Sequence, residues 1–439
     1  MTEPRLLNTL LGSSSAVLRR DDKPLSARGI SASAVALADE LQPFQGRRIG
    51  VLSPYADHIA VALAAGELAN CSVVLYRANE LPRDLVERWH VSAIIDSSLG
   101  VMAAGEYSPE SALPYLYIPT SGTTGEPKLV QHTMHSLLGR IGHRHDTFHE
   151  RARWLLTYHP ATFGGLQVLL TALHDGADLV AVSKPSIPAL RDAALEHQVT
   201  HISATPTFWR GFLLALGDRA SDLKVKQITL GGEIADEAVL QVLREKFPSV
   251  PIRHIYASTE AGALFSVRDG HPGFPAEWLT TGVDGVQLRI IDGILQVRSP
   301  RAMVGYAAPA TSVTTNDGWL ITGDQVDHVG HRVYFRGRQD SVLNVGGAKV
   351  KPEEIEEAIL RIKEVADVHV YGVPNPLTGI VVAADIVPGP GKDAGDLRQL
   401  ITARLRSVLE PYKIPRLIKF VESIPLSAAG KKQKKQKIQ

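Results

Sequence analysis

The chain has 439 residues, with 47 Lys and Arg against 46 Asp and Glu, a formal charge of +1, 44% hydrophobic and 21% charged residues. At about 150 residues per domain this is roughly three domain-sized units, or one large domain with a smaller one, and the balanced charge carries no footprint for nucleic acid. The single cysteine, Cys71, excludes an internal disulfide and a cysteine-based zinc cluster; with no apolar run of about 20 residues and no signal-like order in Met1 to Asp22, the expectation is a soluble, cytoplasmic protein with no membrane partner.

From Arg47 the run RRIGVLSP reads as a buried strand, followed by an Ala-rich helix over Tyr55 to Ala69 and a second apolar run, CSVVLY, at 71 to 76. The same grammar returns further on. A helix starts at His135, strands lie in RWLLTYHP, ADLVAVS and THISATP, and helices cover Leu166 to Leu173 and Trp209 to Leu216. Short strands alternating with helices imply a mostly parallel sheet covered on its faces. After about Pro251 the runs VQLRIIDGILQVRS and HRVYFRG, separated by Gly and Asp turns, imply an antiparallel β region. Beyond Asp340 the spacing predicts a helix at Pro352 to Arg361, strands ADVHVYGVP and IVVAADIVP, a helix at Ala394 to Leu409 and a strand LIKFVES. The fold class is therefore α/β. A large N-terminal domain over 1–339, with mostly parallel sheets covered by helices plus a β-rich part, precedes a small α+β domain over 340–439.

The segment YIPTSGTTGEPKLV sets Thr120, Ser121, Gly122, Thr123, Thr124, Gly125 and Lys128 directly after an apolar strand. Backbone N–H groups, hydroxyls and one ammonium in a short loop suit phosphate oxygens. It is not a Walker A loop, since Pro127 stands where that motif needs Gly. Taken alone, the segment also fits a flexible Ser/Thr/Gly turn.

Companion segments follow in order: GGE at Gly231 to Glu233, YASTEAG at Tyr256 to Gly262, GWLITGD ending at Asp324, FRGRQD ending at Asp340, VGGAKVKPEEIEE, PYKIP, and PLSAAGK ending at Lys431. With this set the chain resembles the adenylate-forming superfamily of acyl- and aryl-CoA synthetases, luciferases and peptide-synthetase adenylation domains, over roughly residues 117 to 431. The resemblance implies an enzyme that uses ATP and Mg²⁺ to turn a carboxylic acid into an acyl-AMP and then passes the acyl group to CoA or to the phosphopantetheine of a carrier protein acting in trans. It makes Lys431 the catalytic cation, Glu260 the Mg²⁺ carboxylate, Thr259 a donor to the α-phosphate and Tyr256 the ring on adenine. Asp324 and Arg338 then hold the ribose, Gly232 and Glu233 belong to the nucleotide site, and Asp340 is the hinge of a mobile small domain. Gly346 and Gly347 line the pantetheine path. Without the motif context, Tyr256 also fits a half-buried strand aromatic, Asp324 a turn aspartate, Asp340 a linker residue and the Gly346–Gly347 pair a hairpin turn. Lysines 432, 434, 435 and 437, close behind Lys431, read as a solvated basic tail, and the cluster of His143, His145 and His149 reads as a solvated helix face rather than a metal site.

The pattern also departs from the family. About 119 residues precede the phosphate loop, implying a trimmed N-terminal part. His159, Phe163 and Gly164, in TYHPATFGG, are acyl-pocket candidates, together with Gly231, Ala257, Ala261 and Gly262. Gly164 follows Phe163 where amino-acid-activating members carry Asp, so an α-ammonium has no carboxylate partner. The small side chains at Gly231, Gly232, Ala261 and Gly262 leave room for a flat ring, so an aryl or medium-sized acid is expected. Two alternatives stay open: transfer of the acyl group to an amine, and an inactive nucleotide-binding scaffold or sensor, which the trimmed N-terminus and the residues after Lys431 motivate and the retained Lys431, Glu260, Asp324 and phosphate loop oppose.

Overall fold

The Ala-rich stretch forms the helix Ala56–Leu68, buried on nearly every side. A helix apolar all round belongs inside a core, and this one lies between strands Arg48–Val51 and Ser72–Leu75 of one sheet and Val17–Arg20 of another. The computed structural model describes residues 6–77, 83–109, 114–120, 127–141, 151–308, 313–345, 348–375, 379–390 and 394–433. Among these residues, seven strands make the first sheet and eight the second. The first runs parallel through Leu116–Thr120, Ser72–Leu75, Arg48–Val51 and Val91–Ile95, with antiparallel strands at its edges. The second is parallel from Ile252–Ser258 through Gln227–Gly231, His201–Ala204, Arg153–Leu155 and Asp178–Ala181 to Val17–Arg20. One large apolar cluster, with Ile30, Ile59, Leu116 and Leu169, joins the two sheets through their covering helices.

The β-rich part is an antiparallel sheet of Phe274–Pro275, Arg332–Arg338, Leu320–Val329, Ile294–Arg298 and Gln287–Ile291. The last part of the chain has its own core around Ile355, Val368, Ile386 and Ile401, where the helices Pro352–Leu360 and Ala394–Arg406 cover the sheet Val365–Asn375, Gly379–Pro388 and Leu417–Phe420. No described helix is long and apolar enough to cross a membrane.

Several elements escape the pattern reading. The helices Leu6–Ser13 and Ala27–Leu41 and the hairpin Val17–Arg20/Lys23–Ser26 precede the first strand read from the sequence. The hairpin strands are only four residues long and carry Arg19, Arg20 and Lys23, so no period-two apolar signal survives. The expected helix from His135 is Met134–Leu138. The strand in RWLLTYHP stops at Leu155, because the chain then turns to carry Tyr158 and His159 towards the end of the sheet.

Candidate active site

Parallel strands place their carboxyl ends on one edge, where such sheets bind ligands. Thr120, Gly231 and Ser258 end three of these strands. Thr120 pairs across the sheet with Lys128, so the two ends of the segment 121–126 lie side by side. Ser121, Gly122, Thr123, Thr124 and Gly125 fall outside the described residues, as do Gly346, Gly347, His143, His145 and His149.

From Thr259 the chain turns into the strand Gly262–Val267. Glu260 accepts a hydrogen bond at Oε1 from the Tyr306 hydroxyl at 3.2 Å, and the Lys128 ammonium stands 5.2 Å from the centre of the Tyr306 ring. Lys128, Tyr306 and Glu260 thus form one continuous line. The backbone of Thr259 is fixed from behind, where its carbonyl accepts from His132 Nε2 at 2.6 Å. His132 Nδ1 lies 2.9 Å from Ser136 Oγ, and the ring is fully buried.

Burial pushes the His132 imidazole down to about 4, although the Thr259 carbonyl favours its charged form. A folded value below the usual 6.5 gives stability that is present above about pH 6.5 and lost as pH falls towards 4, up to about 3 kcal/mol. Urea unfolding at pH 7 and pH 4.5 checks this, and His132→Asn is expected to flatten that part of the slope.

Asp324 ends the GWLITGD turn, with Oδ2 accepting from the Tyr256 hydroxyl and Oδ1 lying 3.4 Å from Arg338 Nη1. Burial raises its carboxyl above the ordinary value, and Tyr256, Arg338 and the Lys431 ammonium oppose that rise. The Tyr256 ring packs on Phe335, centroids 4.8 Å apart, and on Phe265 at 5.3 Å. Arg338 Nε also donates to Asp340 Oδ1 at 3.0 Å, while Ser341 beside it donates to Glu353 at 2.9 Å.

Lys431 arrives on a tight turn in which Leu426 bridges to Lys432 and Ser427 N donates to the Lys431 carbonyl at 2.7 Å. Alternate residues of this hairpin are held by the large domain. His159 N donates to the Ala428 carbonyl at 3.0 Å, the Thr205 hydroxyl donates to the Gly430 carbonyl, and Lys432 N donates to Glu233 Oε1 at 2.9 Å. Thr205 is also the N-cap of Pro206–Leu216, accepting from Phe208 N at 3.1 Å, so the helix start and the hairpin share one hydroxyl. Gly232 has φ +80, and a Cβ there would meet Lys431 Cε at 3.3 Å. The bare backbone therefore leaves the channel for the lysine stem.

Glu233 Oε2 accepts from Thr207 N at 3.1 Å and from the Thr207 hydroxyl at 2.7 Å, so this carboxylate ties a helix start to the hairpin. His159 Nδ1 accepts from Ala161 N at 3.1 Å, leaving the proton on Nε2; burial and the nearby Arg77 push the ring down to about 4. Phe163 opens the helix Phe163–His174 and lies 5.9 Å from the His132 ring. Gly164 and Gly231 both face Tyr158, which stands as a wall between the Phe163 helix and the hairpin. A cavity of about 1120 Å³ borders the outer side of this wall, touching Tyr158, His159, Phe208 and Gly430 but neither Glu260 nor Asp324.

Three readings need correction. Ala261 is fully buried in the apolar cluster of Leu264 and Phe274 and does not leave space for a ring. Gly262, at φ +77, makes room for the Arg301 carbonyl, 2.3 Å from where a Cβ would stand, rather than for a ligand. Lys432 is no solvated tail residue, since its ammonium sits 2.6 Å from Glu356 with little exposure. Ala257 stays at the edge of the main core, beside a bulge in the pairing of its strand. Lysines 434, 435 and 437 lie outside the described residues. The residues missed from sequence are His132, Tyr158, Thr205 and Tyr306, none of which carries a signal stronger than one aromatic or polar residue next to a recognised segment.

Known proteins resemble this chain in sequence and in fold. The chain is 27% identical over 409 residues to a 3-hydroxybenzoate–CoA/4-hydroxybenzoate–CoA ligase of Thauera aromatica, covering 84% of this chain and 74% of that protein. It is also 27% identical over 468 residues to a benzoate–CoA ligase of the same organism, covering 98% and 80%. A solved benzoate CoA ligase from Burkholderia xenovorans LB400 superposes with a TM-score of 0.79 at 20% identity, over 98% of each chain. The anthranilate CoA ligase AuaEII in complex with anthranoyl-AMP gives 0.78 at 19% identity, over 97% of this chain and 95% of that one. Residues 36–306 match the sequence model of the AMP-binding enzymes and residues 354–431 that of their C-terminal domain, so the chain belongs to the AMP-binding enzyme family.

Proposed function

We propose that this protein is an ATP-dependent carboxylic acid–CoA ligase that forms an acyl-AMP and then a thioester, with an aryl acid as substrate. The observation that carries the reading is the Lys431 hairpin. It lays the lysine stem against Gly232, at the carboxyl end of Gln227–Gly231, with an ammonium that has no hydrogen-bond partner among the described residues.

In the first half-reaction a carboxylate oxygen of the acid attacks the α-phosphorus of ATP, and the bond to the bridging oxygen breaks to release pyrophosphate. Negative charge accumulates at the α-phosphate, and preorganised cations lower that barrier most. Lys431 supplies one such cation and Lys128 a second, and Thr120 and Thr259 serve as donors to phosphate oxygens, a role supported by the motif resemblance and by Thr120 ending its strand opposite Lys128. Glu260 fits a Mg²⁺ ligand, because such ions take one or two protein carboxylates plus substrate phosphates, and Tyr306 engages only Oε1. When bound, Mg²⁺ neutralises phosphate charge. Asp324, oriented by Tyr256 and flanked by Arg338, accepts the ribose hydroxyls. In the second half-reaction the thiol sulfur attacks the acyl carbon, AMP leaves with the former carboxylate oxygen, and the thiol proton passes to solvent. Lys431 must withdraw for the thiol to approach, so we place a boundary at 339/340, with Asp340 as the hinge about which residues 340–439 turn.

An aryl acid is supported by the named activities of the relatives and by the Phe163–Gly164 pair, which offers no carboxylate to an α-ammonium. CoA is the acceptor proposed, since these relatives are named as CoA ligases.

The test is pyrophosphate release with benzoates, hydroxybenzoates, anthranilate, cinnamates, fatty acids and amino acids, with and without CoA. Release that depends on an aryl acid, with an acyl-CoA formed when CoA is added, is the expected result. Release with amino acids alone, or with none of the acids, would overturn it. For Asp324→Asn the expected change is a rise in KM for ATP of about ten- to a hundredfold, the worth of a lost charged hydrogen bond, with a smaller change in kcat. Initial rates across an ATP titration check this.

A further inference from the structure

Lys431 lies in the bend of the hairpin and Lys432 in its bridge to Leu426. The Lys431 stem runs against Gly232, while the Lys432 side chain enters a buried cluster of charges. The large domain contributes Arg210, which pairs with Asp236, the N-cap of Glu237–Lys246, and Glu233 with its two bonds from Thr207. The last domain contributes Glu356, Asp367 and Lys432. Within this cluster two contacts cross between the domains: Arg210 Nη1 to Asp367 Oδ1 at 3.7 Å, and Lys432 N to Glu233 Oε1 at 2.9 Å. The side chains of Arg210 and Asp367 are only 8% and 5% exposed, and those of Lys432 and Glu356 only 14% and 15%.

The cluster holds two cations and four carboxylates: Arg210 pairs with both Asp236 and Asp367, and the Lys432 ammonium pairs with Glu356 of its own domain. Glu356 is fixed at both oxygens, accepting from Val370 N at 2.8 Å and from Lys432 Nζ at 2.6 Å. Burial drives the Asp367 carboxyl up to about 6, and Arg210 first and then Lys432 oppose that rise. With one cation gone, a buried excess of negative charge remains, and a broken buried pair is far more costly than one replaced whole. Nothing in the proposed chemistry uses these groups, yet they join the two domains one residue from the catalytic lysine.

We propose that Lys432 is a positioning residue whose ammonium, paired with Glu356, adds the positive charge that balances a buried latch between the domains, crossed by Arg210–Asp367 and by Lys432 N–Glu233, and that this latch holds the state in which Lys431 is inside the site. The inference rests on the acyl-adenylate reading for its catalytic consequence, but not for the latch itself. A latch of this kind acts on one half-reaction only, because thiol transfer takes place with Lys431 withdrawn.

The experiment uses the full chain as wild type, Lys432→Met, Lys432→Arg and the double variant Lys432→Met/Glu356→Gln. Two rates are read with an acid that the wild type accepts: carboxylate-dependent pyrophosphate exchange, and single-turnover transfer from supplied acyl-AMP to CoA. Lys432→Met is expected to lower exchange at least tenfold and to leave transfer unchanged or faster. Lys432→Arg and the double variant are expected to recover most of the loss. Equal losses in both rates, or no loss in exchange, would overturn the proposal. Proteolysis at the exposed Gln339–Asp340 segment gives a readout that needs no activity. Faster cutting of Lys432→Met than of wild type supports the latch and equal cutting contradicts it, even if no acid supports exchange and the acyl-adenylate reading itself fails.

Discussion

Lys431→Ala is expected to lower the rate of acyl-AMP formation by about a hundred- to a thousandfold, the usual cost of removing one preorganised charge-stabilising group. The fold should not notice. Lys431 is exposed, and its hairpin is held by backbone groups of Ala428, Gly430 and Lys432 that the substitution leaves in place. A surface change of this type shifts stability by about 0.5 kcal/mol or less, or about 0.5 °C in Tm for a chain of this size. Transfer from supplied acyl-AMP to CoA is expected to continue at the wild-type rate, because in the proposed mechanism that step proceeds with the lysine withdrawn. Quenched-flow measurement of acyl-AMP, with a thermal melt of the same samples, separates these outcomes. A loss below tenfold, or equal loss in both half-reactions, would remove Lys431 from the role given to it.

The second large effect is expected at Glu260. Glu260→Gln keeps the size of the side chain and one acceptor oxygen for the Tyr306 hydroxyl, but removes the charge that suits a divalent cation. Acyl-AMP formation should fall by about a hundredfold, and the Mg²⁺ concentration for half-maximal rate should rise. Tyr306→Phe removes only the 3.2 Å hydrogen bond to Glu260, worth about 1 kcal/mol or roughly fivefold in rate. Pyrophosphate release across a Mg²⁺ titration compares the two. Equal losses would mean that Glu260 acts through Tyr306 rather than through a metal.

What the sequence makes legible is local. Thr259–Glu260, Asp324 and Lys431 stand in short segments whose order carries the family likeness, and the strand–helix alternation announces the parallel sheets. What depends on distant partners is hidden. Lys432 reads as one more lysine in a basic tail, because its anions Glu356 and Glu233 stand 76 and 199 residues away. Tyr306 reaches Glu260 only through the pairing of Gly305–Ala308 with Lys128–His132, which no periodicity foretells. Small residues mislead in the same way. At Gly262 and Ala261 the space is taken by Arg301 and by the core, whereas at Gly232 it is taken by the Lys431 stem; composition alone treats the three alike.

The central claim is that a carboxylate oxygen becomes bonded to the α-phosphorus. The most direct measurement supplies an accepted acid labelled with ¹⁸O in its carboxylate, together with ATP, Mg²⁺ and CoA, and reads the AMP by mass spectrometry. The account predicts one ¹⁸O in AMP for each acyl-CoA formed and none in pyrophosphate. Label in inorganic phosphate together with ADP, or unlabelled AMP, would contradict it.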